Sequence, residues 1–446
     1  MQTDPYNLNY VLSLCTRTWV RDSHGLYDYE SNQTKNLNAV LAEPILLARK
    51  KHDIKTINKI EELQNDEELL FSVKIEDKNY FLENKIDYHI EPSEKNINDL
   101  SNKIWYVLRP ENQNQNSETN KQTIENKNSN YFLLENDIIK LGRVKYSLNE
   151  VHILGEKQIV APQEESPDSY NIDLLNQKTE SVFNFIHTAI KADSSVKEED
   201  RICKICYSEE MSDENPLVHL CKCNGGLRFA HFNCIKKWME TKLVLKENEK
   251  KTVKSYNIKS FNCEICKTPY PYKFKVEGME KTFDLIDIQR PEDKDYIILE
   301  SLNQMKENCN IKSVHCIQLT DDNITIGRGH ESDVRINDIS VSRSHACLKY
   351  DREKGTLLLK DLKSKFGTLI LIKKPLKIKT KKIHLQIGRT YIEAWLMTME
   401  EFENLRKQKM VKEKAKLNSE RNPTPQVPNP GNNMEIEDNN MELQNN

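Results

Sequence analysis

Cys203-Lys204-Ile205-Cys206, Cys221-Lys222-Cys223, His231-Phe232-Asn233-Cys234 and Cys263-Glu264-Ile265-Cys266 place eight thiol and imidazole side chains between residues 203 and 266. Zinc prefers these ligands, and a closed structural site takes four of them in a tetrahedron, so eight arriving in four pairs suit two such sites. A catalytic zinc would keep one position open for water. The competing explanations are cysteines gathered by core packing and, for a secreted chain, a disulfide framework.

The bulk composition points to an intracellular setting. Residues 1–20 lack a basic-then-apolar signal pattern and no later run is long and apolar enough to span a bilayer. The expectation is a soluble cytoplasmic or nuclear protein with no membrane partner. Seven of the 11 cysteines lie in the ladder, and Cys15, Cys309, Cys316 and Cys347 are scattered as reduced thiols would be. A net charge of −3 gives no nucleic-acid footprint. A length of 446 residues corresponds to about three domains.

Outward from the ladder, the fold class expected is a multidomain α+β chain. Residues 1–165 read as an N-terminal β-rich domain, with strands at Trp105-Tyr106-Val107-Leu108 and Tyr131-Phe132-Leu133-Leu134. A polar insert over 111–130 is too poor in apolar residues to pack. Leu174 to Ala192, within 170–195, has Val182, Phe183, Ile186 and Ile190 at helical spacing and reads as a connecting helix that docks on a neighbouring domain. Residues 273–295 read as a linker. From 296 to 398, short runs at Thr356–Leu359, Thr368–Ile372 and Lys382–Ile387 predict an all-β sandwich. Thr398 with Glu401 offers a capping box for a charged helix over 399–417, and 418–446 reads as a disordered tail. Within that tail, phosphorylation of Thr424 before Pro425 would give a self-regulatory ligand.

Two zinc modules place one histidine fifth among seven cysteines, the plant-homeodomain finger and the RING-CH (RING-variant) finger. The Cys-x-Cys second pair, the seven residues between Cys223 and His231, and Trp238 four residues after Cys234 resemble RING-CH. The plant-homeodomain pattern would have a tryptophan where Phe261 stands. The RING-CH resemblance implies a small cross-braced domain over 196–272 with two Zn2+. It assigns Cys203, Cys206, His231 and Cys234 to one ion, and Cys221, Cys223, Cys263 and Cys266 to the other. It also implies a ubiquitin-conjugating enzyme as partner, met by Ile205, by Trp238 on a helix expected over Ile235–Leu243, and by Pro269, with Lys267 at the basic linchpin position. No residue of such a ligase is a nucleophile. The 28 residues between Cys234 and Cys263 are longer than the pattern needs, and Lys246–Lys254 reads as a solvated insertion.

Downstream, Gly327-Arg328-Gly329-His330, Ser332-Asp333-Val334, Val341-Ser342-Arg343-Ser344-His345-Ala346 and Ser364-Lys365-Phe366-Gly367-Thr368 occur in an order that resembles the forkhead-associated (FHA) domain. That resemblance implies a sandwich whose end loops bind phosphothreonine. Arg328 and Ser342 match the phosphate contacts, while Arg343 and Lys365 add charge. A planar guanidinium and a hydroxyl suit a dianion with three acceptor oxygens. His345, Gly327, Gly367 and Thr368 match positions that brace the loops. Phe366 stands where an asparagine is common, so peptide selectivity is expected to differ. Asp137-Ile138-Ile139-Lys140-Leu141-Gly142-Arg143 also echoes Leu385-Gln386-Ile387-Gly388-Arg389, leaving open whether the N-terminal region is unrelated or a degenerate FHA-like copy.

Together these resemblances imply a RING-CH ubiquitin-protein ligase that recruits phosphothreonine-containing proteins. A flexible tether between modules would raise the local substrate concentration to about millimolar. The competing expectation is a non-enzymatic phospho-dependent scaffold.

Overall fold

The computed structural model describes residues 10–21, 25–84, 100, 102–109, 130–155, 159, 187–192, 196–259, 261–271, 273–302 and 311–421. The polar segment 111–129, the stretch 174–186 of the expected helix, and the tail from 422, with Thr424, lie outside the described residues.

The N-terminal half supplies β1 (Tyr10–Trp19), β2 (Thr34–Leu41), β3 (Ile45–Lys50), β4 (Asp53–Ile57), β5 (Glu68–Glu76), β6 (Asn79–Asn84), β7 (Trp105–Leu108), β8 (Asn130–Phe132), β9 (Ile138–Leu141) and β10 (Val144–His152). The central region supplies β11 (His187–Lys191), β12 (Leu217–His219), β13 (Ala230–His231), α1 (Phe232–Glu240), β14 (Leu243–Glu247), β15 (Val253–Lys259), β16 (Lys273–Val276) and β17 (Thr282–Asp284). The C-terminal half supplies β18 (Tyr296–Ser301), β19 (Ile311–Gln318), β20 (Ile324–Gly327), β21 (Val334–Arg335), β22 (Ala346–Asp351), β23 (Thr356–Asp361), β24 (Thr368–Leu371), β25 (Leu376–Lys377), β26 (Ile383–Ile387), β27 (Thr390–Thr398) and α2 (Met399–Arg421). Strands therefore dominate, and α1 and α2 are the α-helices among the described residues, so the α+β expectation gives way to a mostly β chain.

The two β-rich halves are interleaved rather than consecutive. One 12-stranded sheet runs β14-β15-β19-β18-β10-β9-β24-β7-β26-β27-β1-β2. At its centre β24 and β7 pair antiparallel, Thr368 opposite Leu108 and Leu371 opposite Trp105. Outward from that pair, β9-β10-β18-β19 on one side mirror β26-β27-β1-β2 on the other. The second layers repeat the relation, with β21-β20-β22-β23-β8 against β4-β3-β5-β6-β25. Each sandwich is thus closed by strands of the other half: β8 to β10 complete the C-terminal unit, and β25 to β27 the N-terminal one.

The physical reason lies in the two echoing segments. Each makes a hairpin whose turn passes through a glycine at positive φ, Gly142 (+60°) and Gly388 (+55°), followed by an arginine and flanked by buried aliphatic strands. The two hairpins therefore offer comparable closing pairs, β9–β10 and β26–β27. A single core follows, joining Leu12, Leu14 and Tyr80 to Leu141, Leu348 and Leu359. Residues 1–165 and 296–398 are accordingly not independent domains.

Two further expectations change. His187–Lys191 is a strand, not the end of a helix, because it finds partners on both sides: β12 antiparallel and β16 parallel. The expected linker 273–295 contains β16 and β17, and its Phe274, Phe283, Leu285 and Ile286 are buried in the central core. At the C terminus, the Thr398 amide donates to Glu401 Oε2 at 2.8 Å and the Glu401 amide donates to Thr398 Oγ1 at 3.2 Å, starting α2 with a capping box.

Candidate metal centres and phosphate site

The ladder folds into two four-ligand clusters. Cys203, Cys206, His231 and Cys234 bring their donor atoms within 4.8 Å of one another, as do Cys221, Cys223, Cys263 and Cys266. Ligand pairs close in sequence come from tight turns. Cys203 and Cys263 each begin one in which the residue after the second cysteine, Tyr207 or Lys267, returns its amide to the first cysteine's carbonyl, at 2.8 and 2.9 Å. Both residues adopt left-handed backbone, φ +58°. His231 caps the N terminus of α1, which carries Cys234 one turn on.

The donor set fits zinc. Cys223 and Cys263 Sγ lie 3.7 Å apart, close to the roughly 3.8 Å edge of a tetrahedron with 2.3 Å Zn–S bonds. His231 Nδ1 lies 3.2 Å from Cys206 Sγ and 3.8 Å from Cys234 Sγ. Its Nε2 is 2.6 Å from the Glu210 carbonyl, which fixes the tautomer that leaves Nδ1 to face a metal. Burial raises the Cys266 thiol, but hydrogen bonds from Thr268 and from the Thr268 and Lys222 amides outweigh it and bring it down to about 6. That favours the thiolate a metal needs. Two zinc ions are the cofactors this geometry accommodates.

Around the second cluster, Trp238 on α1 is half-buried, edge-on to Tyr270 with centroids 6.1 Å apart. Lys242 Nζ sits 3.7 Å over the indole and pairs with Glu264 in the second knuckle. Ile205 is 43% exposed, and Lys267 and Pro269 are exposed. Ile265, 57% exposed at the position in the second knuckle that Ile205 holds in the first, went unremarked in the sequence reading. Helix α1 spans Phe232–Glu240, earlier than expected, because Leu243 begins a strand.

The Lys-rich segment is solvent-exposed from Lys246 to Lys251 apart from half-buried Asn248, as expected, but it forms the end of a hairpin rather than a loose loop. β14 and β15 form a hairpin, and β15 pairs antiparallel with β19 from Val253–Ile317 to Lys259–Ile311. Residues Tyr256, Ile258, Val314 and Cys316 share the core that holds Cys203, Ile235 and Met239, so the zinc region is packed onto the C-terminal sheet.

The phosphate candidates converge at one end of the C-terminal sandwich. The Arg328 amide donates to Ser342 O at 2.9 Å and its Nε to Val341 O at 3.1 Å. Ser342 Oγ accepts the Lys365 amide at 3.0 Å, so its own proton can be offered outward. Arg343 is exposed on the same loop. Gly327 lets two loops touch: a Cβ there would lie 2.0 Å from Arg343 O. His345 is buried, accepts the Ser342 amide at Nδ1 (3.1 Å) and reaches Gly367 O from Nε2 (3.2 Å). Burial lowers its pKa against the pull of Asp361, keeping it the neutral brace those bonds require. Asp361 Oδ2 accepts Ser364 Oγ and Thr368 Oγ1 at 2.6 and 2.7 Å.

Several residues of this end come from the N-terminal half and were missed. Arg109 donates to the carbonyls of Ser364 and Lys365 and stacks on Tyr29, 4.9 Å to the ring centroid. Asp28 lies 3.7 Å from Lys365 Nζ. Arg143, in the exchanged hairpin turn, donates to Asp338 at 2.8 Å. The Gly-Arg echo was the available signal for Arg143; nothing local marks Arg109 or Asp28.

Two segments of the chain match family models. Residues 203–266 match the RING-variant domain, and residues 324–390 the FHA domain. Among curated proteins, the chain is similar to the E3 ubiquitin-protein ligase MARCHF7 of Pongo abelii, 30% identical over 105 residues, covering 24% of this chain and 13% of that protein. It is 36% identical over 73 residues to the ERAD-associated E3 ubiquitin-protein ligase DOA10 of Saccharomyces cerevisiae, covering 16% and 5% of the two chains. It is 31% identical over 80 residues to the E3 ubiquitin-protein ligase MARCHF8 of Bos taurus, covering 18% and 22%. The chain thus spans only a minor part of each relative. No solved structure matches. No helix among the described residues is long and apolar enough to cross a membrane.

Proposed function

We propose that this chain is a RING-CH-type ubiquitin-protein ligase that promotes transfer from a conjugating enzyme to proteins recruited through phosphothreonine. The observation that carries the reading is Trp238. It is half-buried on the helix between the two ligand clusters and in contact with Tyr270 beside the knuckle bearing Lys267 and Pro269. A partly exposed tryptophan held by such a frame is a suitable interface anchor. Ile205, Trp238 and Pro269 would form the apolar contact, and Lys267 would supply the positive charge. The relatives named above share the ligase designation and match this chain mainly through this part.

The chemistry belongs to the conjugating enzyme. A substrate lysine amine attacks the thioester that links ubiquitin to the enzyme's cysteine, an amide bond forms, and the thiol leaves. This chain would contribute orientation, with Arg328, Ser342, Arg343 and Lys365 holding the phosphate of the substrate. An autoubiquitination assay with a panel of conjugating enzymes tests the first half. Activity is expected in the wild type and lost in Trp238→Ala with zinc content retained; activity that survives Trp238→Ala would place the enzyme contact elsewhere, and no activity with any conjugating enzyme would leave the scaffold reading, in which the zinc domain only binds protein.

A further inference from the structure

A tethered ligase works with a loose tether, yet this chain has a stiff one, made from the segment that lengthens its zinc domain. Helix α1, bearing Trp238, runs through Thr241 and Lys242 directly into β14. At the far end of that strand, Asn248 closes the turn by accepting the Thr252 and Val253 amides, at 2.8 and 2.9 Å. Its Nδ2 also donates to Asp333 Oδ1 at 3.0 Å. Asp333 belongs to the 328–333 phosphate loop and in turn accepts from the Thr325 amide and hydroxyl, both at 2.9 Å. The return strand β15 is fixed to β19 over its whole length. One hairpin therefore spans from the conjugating-enzyme anchor to the phosphate loop.

Resting on the function proposed above, we infer that this hairpin is a spacer of set length. It would restrict substrates to phosphoproteins whose acceptor lysine lies at or beyond a minimum distance along the chain from the phosphothreonine. From Lys242 to Asn248 a strand covers roughly 20 Å, so an extended peptide needs at least about six residues to cross it, and more where the charged cysteine lies beyond the enzyme's contact with Trp238. A flexible connection would let the two sites approach and would make lysines next to the phosphothreonine acceptors as well. The hairpin and phosphate loop also face each other across a cleft of about 760 Å³ lined by Lys246, Asn248, Lys250, His330, Glu331 and Arg335. That cleft leaves room for the peptide to run beside the spacer.

The test uses the full zinc-loaded chain, a charged conjugating enzyme, and peptides carrying one phosphothreonine and one lysine at increasing separation. Binding of each peptide is measured in parallel. The expected result is a step, with transfer at short separations at least about tenfold slower than beyond a threshold of about six residues or more, while peptide affinity stays constant. Lengthening both hairpin arms with Gly-Ser segments should flatten the step, but the wild-type series alone decides. Equal transfer at all separations overturns the spacer and leaves the ligase standing. Absence of phosphate-dependent transfer at every separation, with peptides bound, removes the proposed function and the spacer with it.

Discussion

Arg328 and Trp238 carry the two proposed activities, and Arg328 can be removed with little structural cost, whereas Trp238 also packs against the central core. Arg328 is exposed, and its loop is also held by the Gly329 and Ser332 contacts to Arg343. Charge-assisted hydrogen bonds are worth about 1.5–3 kcal/mol each, so Arg328→Ala should weaken phosphothreonine-peptide binding by about 10- to 100-fold in calorimetry, with the melting temperature little changed. An unchanged affinity would place the phosphate elsewhere. Both residues were legible in the sequence, because their family patterns are local. Arg109 and Asp28 were not, since what makes them relevant is a strand pairing formed across hundreds of residues.

At the scale of elements, the seam between β15 and β19 is where the zinc region and the C-terminal sandwich become one body. His315 lies in it, fully buried, 2.8 Å from Ser255 Oγ through Nδ1 and 3.4 Å from the Tyr146 hydroxyl through Nε2. Burial lowers its pKa to about 4, while the unfolded imidazole titrates near 6.5. The unfolded chain therefore takes up the proton first, and stability is lost as pH falls from about 6.5 to about 4, by roughly 3 kcal/mol from this group. His315→Gln should remove that part of the acid dependence in denaturant titrations; an identical pH profile would show that His315 is not a buried neutral group. Chelation probes the same seam. Structural zinc contributes on the order of 10 kcal/mol per site in finger peptides, so metal removal should open 203–266. Because Tyr256, Val314 and Cys316 share that core, hydrogen exchange should also rise in β15 and β19. Exchange confined to the cysteine ladder would contradict the shared core. The sequence marked Lys246–Lys254 as a solvated insertion, and most of that stretch is exposed; Tyr256 and Ile258, which follow it in β15, carry no local sign that their partner strand is β19.

At the scale of the whole molecule, the exchanged hairpins decide how the chain is divided. Strand spacing showed two β-rich regions and the Gly-Arg echo hinted at kinship. Nothing in a linear pattern says which of two similar hairpins closes which sandwich. Cys15 lies opposite Glu393 in the β1–β27 pair, and such partners have Cα atoms about 4.5–5.5 Å apart, within disulfide range. Glu393→Cys should form a disulfide with Cys15 within one chain under mild oxidation, read by mass spectrometry. A free thiol at both positions would argue for separate domains.

In the function proposed here, phosphate recognition and ubiquitin transfer are joined in one molecule. Its most direct test is the rate of ubiquitin discharge from a charged conjugating enzyme onto one substrate, supplied with and without a phosphothreonine. Phosphorylation should raise the rate at least about tenfold at sub-saturating substrate, an increase abolished by Arg328→Ala and by Trp238→Ala separately. Equal rates for the two substrate forms, or an increase that survives either substitution, would contradict it.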